Sequence, residues 1–512
     1  MATRAMSHLG PKTINVVKGG AKVTGGVQLK RRIGLFSATA IVVANMIGTG
    51  IFTTSGFALK EVGSADALLS CWLLGGIFAF CGALCYGELG ARFPYAGGDY
   101  IYLREAFGKP MAFLSGWISL IVGFSAPIAA AAMAFATYLL KALGVQSGSP
   151  SAMPPDGVSP AGFYLPILTA VSVVLLLSLL HIHSLRTGSR VQNLLTLFKI
   201  VLVTAFIGAG LSSGKGSAGH FHSGVSLAAL SDGRFAVALI FITFAYSGWN
   251  AAAYLGGEIR RPQRNIPLAL LAGTGIVTVL YLLMNAVYIY ALPAEQMSGV
   301  MAVGDMAATR LFGPAVGRWF SGAIALGLLS LISAMTLAGP RVYYAMSLDG
   351  VFFHCFKNIH PRRHTPCYAI GLQALVAILM IVTAAYDKLL IYMGFTLSLF
   401  AILTVVGLMR LRRKGPAAAY RAWGYPVTPL AFILGNTWIV VFSLKSRLEP
   451  ALWGVATIVF GLVLYLCFTK YGRSSQIQSA TRNRVVAALL SERGAVAPPS
   501  LDKNSQPKEV QQ

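Results

Sequence analysis

Two interruptions that contain glycine break apolar stretches of the sequence, at 46–52 and 244–250. A membrane helix normally keeps its backbone groups bonded to one another, because hydrocarbon offers no other partner. An interrupted helix instead presents unbonded N–H groups from one half and C=O groups from the other. Such groups can bind a small ion or zwitterion through backbone dipoles. The residues are Met46, Ile47, Gly48, Thr49, Gly50, Ile51 and Phe52, followed later by Phe244, Ala245, Tyr246, Ser247, Gly248, Trp249 and Asn250.

Interruptions at corresponding points of two halves are typical of discontinuous helices around a site near the bilayer midplane. A ligand that carries both a carboxylate and an ammonium uses both kinds of backbone group. The pair of interruptions therefore predicts a site for amino-acid-like zwitterions and a role in their transport. The alternative is that Gly48 and Gly50 only allow close helix packing. That alternative explains one interruption but not a second one at the matching place.

Lys199 is a third feature that could have a functional role, because this charged residue lies in the middle of an apolar stretch. A charge at membrane depth is costly and indicates function. The alternative is a lysine that reaches a helix end with its long side chain. Lys199 is nine residues beyond Arg190, roughly 13 Å along a helix, so this alternative fits poorly.

The elements that must position these residues are membrane helices. The chain has 512 residues, of which 56% are hydrophobic and 11% charged, against about 25% charged in soluble proteins. With roughly 20 residues per crossing, the sequence predicts an all-α integral membrane protein with twelve spans. They lie near 34–58, 67–90, 112–140, 163–183, 190–211, 234–256, 267–292, 316–346, 367–385, 388–409, 428–444 and 451–469.

Because the interruptions fall in the first and sixth spans, two inverted repeats are predicted at about 33–211 and 234–409. The last two spans follow as an addition, so that one transporter domain covers 33–470. The segment 1–32 is predicted to be a basic cytoplasmic tail, and 471–512 a mostly disordered cytoplasmic tail.

The net charge of +25 does not indicate nucleic-acid binding, because its distribution follows the membrane. Of the 41 Lys and Arg residues, nine lie in the predicted outer segments and Lys199 lies within a span. All others lie on the side of the two termini, so the positive-inside rule predicts cytoplasmic N- and C-termini. The predicted location is the cell inner (plasma) membrane, with lipid as the surrounding partner.

No enzyme chemistry is indicated by the remaining reactive residues. The six cysteines include Cys81 and Cys85, one helical turn apart, which we interpret as packed small residues rather than metal ligands. His181 and His183 are likewise interpreted as interfacial residues. No nucleophile–base pair and no phosphate-binding Gly-Lys-Ser/Thr loop occurs, so no catalytic residue, metal or cofactor is predicted.

Three motifs in order resemble the amino acid–polyamine–organocation superfamily, and within it the L-type amino acid transporter branch and its bacterial relatives. They are the interruption 47–52, the segment Tyr86-Gly87-Glu88-Leu89 with Pro94 to Tyr102 behind it, and the second interruption with Glu258-Ile259-Arg260-Arg261-Pro262 behind it. The resemblance covers about 33–470. It implies a five-plus-five inverted-repeat (LeuT-like) fold and alternating access.

The resemblance also implies roles for the interruptions. The substrate carboxylate would meet the N–H groups of Thr49, Gly50 and Ile51, with Gly48 beside them. The ammonium would meet carbonyl groups on both interruptions, and Phe244 would be the lid, with Asn250 a second gate residue. The carbonyl groups expected to bind the ammonium are those around Met46, Ile47, Phe244, Ala245 and Ser247. Tyr246 and Gly248 are expected to belong to the same substrate-binding pocket.

For Lys199 the resemblance implies a stand-in for a sodium ion, with Ser330 and Ser333 as candidate partners. A fixed cation makes sodium unnecessary, whereas an ammonium that releases its proton would couple transport to protons. Exchange and proton-linked transport both stay open at this point.

The expected substrate is a small or medium neutral L-amino acid, because the spans around the site contain no acidic residue at mid-membrane depth. Glu88 and Glu258 are at span ends, where Glu88 is predicted to pair with Arg92. The basic turn 258–267 and the segment 87–100 are either inner gates or solvated loops. The open alternatives are a membrane sensor that binds an amino acid, and a transporter of cationic amino acids or polyamines.

Animal members of the resembling branch often use an outer-loop cysteine to link a glycoprotein. The predicted outer loop 141–162 has no cysteine. No disulfide-linked heavy chain is therefore expected.

Overall fold

The computed structural model describes residue 31 and the ranges 33–145, 160–183, 185–221, 232–357, 366–414 and 418–469. The predicted tails lie outside these residues, apart from Arg31. Within them the chain is helical, with two isolated bridges that join Ile33 to Ile259 and Ala96 to Leu255.

Seventeen helices make up the described part of the chain, besides two short 3₁₀ turns. In its first half they are α1 Leu35–Met46, α2 Thr49–Val62, α3 Ala65–Arg92, α4 Asp99–Phe107, α5 Lys109–Ala142, α6 Pro160–His183 and α7 Leu185–Ser212. In its second half they are α8 Gly233–Tyr246, α9 Ala251–Tyr254, α10 Pro262–Ala291, α11 Ala294–Met297, α12 Val303–Phe312, α13 Pro314–Leu348, α14 Cys367–Thr383, α15 Tyr386–Lys414, α16 Val427–Ser446 and α17 Leu448–Thr469.

Nine of the described helices are long and apolar enough to cross a membrane. The helices α1 and α2 add a tenth candidate span, bent by 41° at its break. Two shorter apolar helices, α8 and α14, cover two more of the segments predicted from the sequence. The chain is therefore a helical protein with the composition of an integral membrane protein.

Burial separates an inner set of helices from an outer set. The most apolar part of α5 is 89% buried and that of α13 is 72% buried, whereas that of α17 is only 17% buried. Small residues make the inner packing close: Ala129, Ala130, Ala131 and Ala132 of α5 are all fully buried. The outer helices expose Leu, Val and Phe side chains, as a surface solvated by lipid does.

The inner helix α5 changes its hydrogen-bond spacing in the middle. Residues Ser119–Ser125 form a π-helical turn, and Pro127 comes near the start of the next α-helical stretch. Proline has no N–H group and cannot continue the regular bonding pattern. A widened turn before it accommodates this loss, and such turns are frequent at functional sites.

Candidate functional site

Both predicted interruptions are present, and they touch each other. The helix α1 ends at Met46 and α2 begins at Thr49, while α8 ends at Tyr246 and a turn precedes α9. A Cβ atom added at Gly50 would lie 2.3 Å from Cα of Ala245. Only glycine allows the two backbones to approach so closely.

A small cavity of about 10 Å³ lies between the interruptions. It has room for about one water molecule. Its walls come from both interruptions and from α5 and α13. The lining residues are Asn45, Met46, Gly48, Thr49, Gly50, Pro127, Phe244, Ala245, Ser247, Leu331 and Met335.

A larger cavity of about 340 Å³ adjoins the small one. We call it the vestibule. Phe244 is one of five residues that line both cavities and so stand at their junction, with Asn45, Pro127, Ser247 and Met335. The vestibule extends past Asn250 to Ile33 and Arg341, at the end of the molecule where α1 begins. Tyr246 and Gly248 line the vestibule, while Ile47 and Ile51 line neither cavity.

Polar contacts hold the first two turns of α2 to its neighbouring helices. The hydroxyl groups of Thr53 and Tyr386 are 2.9 Å apart, and Ser55 donates to Asn285 Oδ1 over 2.7 Å. Tyr138 donates to the carbonyl oxygen of Phe52 over 2.7 Å. These bonds join α2 to α15, α10 and α5.

The N-terminus of α2 supplies hydrogen-bond donors to the small cavity. The N–H groups of Thr49, Gly50 and Ile51 belong to the first helical turn, where no intrahelical acceptor exists. The hydroxyl of Thr49 is also buried, and no described residue lies within the hydrogen-bond criteria of its oxygen. This half of the site has donors and a positive helix end, which suits an anion.

The carbonyl half of the site contains a residue that the sequence analysis missed. The Tyr281 hydroxyl donates to the carbonyl oxygen of Met46 and is 3.1 Å from that of Ala245. The amide of Ser247 donates to the carbonyl oxygen of Phe244 over 2.9 Å. A carbonyl oxygen accepts two hydrogen bonds, so these groups retain capacity for an ammonium.

Lys199 connects α7 to the first interruption. Its buried Nζ donates over 2.8 Å to the carbonyl oxygen of Ala44, in the last turn of α1. Its aliphatic part lies beside Gly327 of α13. The two candidate serine partners bond elsewhere, since Ser330 donates to the carbonyl oxygen of Gly327 over 2.7 Å and Ser333 bonds to His181.

The interpretation of His181 as an interfacial residue is wrong. His181 is fully buried, with Nε2 2.9 Å from Oγ of Ser333, whereas His183 is exposed. Residues two apart on a helix point in widely different directions. One histidine therefore packs against α13 while the other faces outward.

The predicted pair of Glu88 with Arg92 is also wrong. Glu88 is buried, and its carboxylate accepts hydrogen bonds from the guanidinium of Arg412, one of them 2.7 Å long. It also accepts a hydrogen bond of 2.8 Å from the backbone amide of Ala422. Arg92 instead lies over the Phe93 ring, 5.6 Å from its centre. The carboxylate thus joins α3 to α15 and to the chain beyond α15.

A second carboxylate, Asp99, lines the vestibule. It accepts from the Tyr254 hydroxyl at 2.7 Å, from Asn250 at 3.4 Å and from Thr404 at 3.3 Å. Among the described residues no Lys, Arg or His lies within ion-pair distance of it. Glu258, also in the vestibule, is 3.5 Å from Nε of Arg341. Sequence reasoning missed Asp99 because it falls between predicted spans.

Within the described ranges, no group of three His, Cys, Asp or Glu side chains is arranged to hold a metal ion. Of the cysteines, Cys71 and Cys85 are buried, whereas Cys355 and Cys467 are exposed. The candidate site is therefore built from backbone groups, one lysine, hydroxyl groups and aromatic rings.

Similarity to known proteins covers most of the chain. The serine/threonine exchanger SteT of Bacillus subtilis is 31% identical over 449 residues, which are 85% of this chain and 96% of that protein. The large neutral amino acids transporter small subunit 2 of Mus musculus is 31% identical, with 86% of this chain and 81% of the relative covered. The b(0,+)-type amino acid transporter 1 of Mus musculus is 30% identical, with 93% and 94% covered.

These relatives are membrane transporters and exchangers of amino acids, not enzymes. The family profile described as amino acid permease matches residues 33–487. The chain belongs to the amino acid permease family of the amino acid–polyamine–organocation superfamily.

Proposed function

We propose that this chain is a sodium-independent secondary transporter that exchanges small to medium neutral L-amino acids by alternating access. One observation carries the proposal. Two interrupted helices meet at Gly50 and Ala245, and together they line a cavity with backbone donors on one side and carbonyl acceptors on the other. Such a pair of groups matches the two charges of a free amino acid.

Recognition in this proposal is divided between the two half-helix ends. The carboxylate binds the N–H groups of Thr49, Gly50 and Ile51, where the helix end favours an anion by about 0.3–1 kcal/mol, or about 2 kcal/mol when partly buried. The ammonium binds carbonyl oxygens of the residues around Met46 and Ala245. The side chain points to the vestibule, and Phe244 at the junction closes behind it.

The proposed architecture has twelve spans. The nine long helices, the bent pair α1–α2 and the two shorter helices α8 and α14 would each cross the bilayer. The proposed repeats, 33–211 and 234–409, each begin with an interrupted span, and the tails 1–32 and 471–512 lie outside the transporter domain 33–470. The charge distribution supports cytoplasmic termini and a plasma membrane location.

Sodium independence rests on Lys199. Its ammonium already bonds the end of α1 at Ala44 and supplies the positive charge there. Exchange is favoured over proton-linked transport because SteT, at 31% identity, is a serine/threonine exchanger. The same relative supports a small neutral substrate.

A second candidate is transport of cationic amino acids or polyamines. The observation that favours it is Asp99, a carboxylate in the vestibule whose described hydrogen-bond partners are hydroxyl and amide groups. Glu258 in the same cavity has Arg341 beside it. Neutral substrates remain the first proposal, since no acidic side chain is among the described residues that line the small cavity.

We propose that the transporter works without a disulfide-linked partner. One relative from Mus musculus is named large neutral amino acids transporter small subunit 2. The words 'small subunit' describe that relative and not this chain. In this chain the predicted outer loop 141–162 has no cysteine with which such a bond could form.

The test uses purified protein in vesicles preloaded with unlabelled L-serine. Uptake of labelled serine is measured against competing serine methyl ester, lysine and a diamine. The ester lacks the anionic oxygen, so it loses charge-assisted hydrogen bonds of about 1.5–3 kcal/mol each and should compete at least about 10-fold less well. Equal competition by ester and free acid would exclude carboxylate recognition, whereas strong competition by lysine would favour the second candidate. Binding without uptake would indicate a sensor.

A further inference from the structure

Tyr281 stands behind the candidate site at the point where both interrupted helices end. It belongs to α10, which continues from Pro262 to Ala291 without a break. Its side chain is fully buried. The ring lies 5.2 Å from the Trp72 ring and 5.1 Å from the Tyr246 ring. These contacts hold the hydroxyl in one place.

The two carbonyl groups near this hydroxyl come from different interruptions. Met46 is the last residue of α1, and Ala245 is the last but one of α8. Carbonyl groups at helix C-termini lack intrahelical partners. The Tyr281 hydroxyl donates to Met46 and is 3.1 Å from the oxygen of Ala245. One O–H group has one hydrogen, so the two carbonyls share a single donor and keep lone pairs for another.

Tyr281 is outside the lining of both described cavities, whereas Met46 and Ala245 line the small one. The Tyr281 hydroxyl therefore reaches the small cavity through the two carbonyl groups, whereas its ring contacts the vestibule residue Tyr246. Without this link, the ends of α1 and α8 would be tied less firmly to each other and to α10. An acceptor pair of fixed spacing suits a small donor with several N–H bonds.

We infer that Tyr281 is a positioning residue that fixes the carbonyl acceptors of Met46 and Ala245 for the ammonium group of the substrate. The inference rests on the proposed function, and it adds which residue sets the selectivity for a primary ammonium. N-methylation removes one N–H donor and adds bulk. A rigid acceptor pair penalises both changes, while a loosened pair tolerates them.

The experiment compares L-serine with N-methyl-L-serine as competitors of serine exchange, in wild type and in Tyr281→Phe. The substitution deletes one hydroxyl and keeps the ring. Loss of a hydrogen bond of about 0.5–1.5 kcal/mol should weaken serine binding by about 2- to 10-fold. The preference for serine over N-methylserine should fall by a similar factor, with the maximal exchange rate within about twofold of wild type.

Tyr138→Phe is the matched control. Tyr138 is also fully buried, and its hydroxyl donates over 2.7 Å to a backbone carbonyl, that of Phe52 in α2. The same atom is deleted and the same kind of bond is lost. Because Phe52 lies outside the carbonyl half of the site, the preference for serine over N-methylserine should equal that of wild type.

The outcomes distinguish a failure of the proposed function from a failure of the positioning role of Tyr281. If the wild type neither binds nor exchanges any amino acid, the proposed function fails. If the wild type exchanges serine but Tyr281→Phe keeps the full preference over N-methylserine, the positioning role is overturned and the transporter stands. If Tyr281→Phe does not assemble, 3-fluorotyrosine at position 281 keeps the ring and hydroxyl and strengthens the donor. An unchanged preference in that protein also overturns the inference, and a changed one supports it.

Discussion

The two interruptions differ in the length of the helix that follows each of them in the chain. After the first, the chain leaves the helix for only two residues, and α2 then runs for 14 residues from Thr49 to Val62. After the second, a turn at 247–250 leads into α9, which has only four residues. The first interruption therefore presents both a helix C-terminus and a long helix N-terminus, whereas the second presents a helix C-terminus alone.

This difference assigns the two charges of a zwitterion to different places. A helix dipole acts through its first turn and needs a helix behind it, so the anion-binding end is α2 and not α9. Carbonyl acceptors are available from α1 and α8 alike, and Tyr281 links them. Two interruptions that look similar in sequence thus contribute unequal chemistry.

The largest effect is expected from adding a methyl group at the contact between the interruptions. In Gly50→Ala the new Cβ would lie 2.3 Å from the backbone of Ala245, where nothing can yield without moving α8. Overpacking of this kind costs about 1–3 kcal/mol and sometimes more. We expect little assembled protein by size-exclusion chromatography and loss of serine exchange in the remainder. Gly50→Val would behave likewise, so it does not isolate carboxylate recognition.

Gly48→Ala tests whether the effect of Gly50→Ala is specific to the contact between the interruptions or whether any side chain in the first interruption is harmful. The Cβ at Gly48 would meet the end of the flexible Leu331 side chain, at 2.8 Å from Cδ2, and Leu331 can turn aside. We expect assembly near the wild-type level. Gly275→Ala is the control for expression, because no heavy atom of the described residues lies within 4 Å of a Cβ added there. If Gly50→Ala assembles as well as Gly48→Ala, the contact between the interruptions is not essential.

A loss of most exchange, with an assembled protein, is expected for Lys199→Ala. The substitution removes the ammonium that bonds Ala44 at the end of α1, so the first interruption loses its link to α7 while the second is untouched. Exchange of the wild type should be equal in sodium and choline buffers. A requirement of the wild type for sodium, or normal exchange by the mutant, would contradict the role given to Lys199.

Lys388→Ala serves as the control for loss of a lysine. Lys388 is half-exposed and pairs with Glu449 at 2.7 Å. Exposed pairs contribute only about 0–1 kcal/mol. Its exchange should be close to that of wild type, so that a defect in Lys199→Ala reflects the place of the charge and not the loss of a positive charge as such.

Local patterns in the sequence were sufficient for the long apolar helices and for the interruptions, but not for short helices such as α4 and α12. Apolar length predicts spans because the bilayer sets a minimum helix length. Gly48 with Gly50 marks a break because glycine destabilises a helix interior and lets the backbone leave the helix. Lys199 stands out for the same reason, as a charge where hydrocarbon is expected. Each of these signals lies within a single segment.

Contacts between distant segments could not be predicted in the same way. Glu88 takes Arg412 and not its neighbour Arg92, because packing of α15 against α3 brings the more distant partner closer. His181 is buried by α13, and the acceptors of Tyr281 lie on two other helices. A single tyrosine in an apolar helix is common, so the sequence does not indicate that Tyr281 contacts the carbonyl oxygens of two other helices.

The smallest effect is expected at Phe244, which lies between the small cavity and the vestibule. In Phe244→Ala the backbone groups of both interruptions remain, so an amino acid can still bind. The substitution removes the aromatic ring among the residues that line both cavities, which in the proposed function completes an occluded state. We expect the exchange rate at saturation to fall several-fold, about 1 kcal/mol in barrier height, with a smaller change in affinity for serine.

Measurement of exchange rate against serine concentration separates these two quantities. Phe244→Trp retains a ring at the junction and should recover most of the rate if it fits. Phe353→Ala is a suitable control, because Phe353 is exposed and lies outside the lining of both described cavities. If rate and affinity fall in parallel in Phe244→Ala, the ring contributes to binding in the ground state. The second interruption would then hold the substrate directly, and the division of roles between the two interruptions would need to be redrawn.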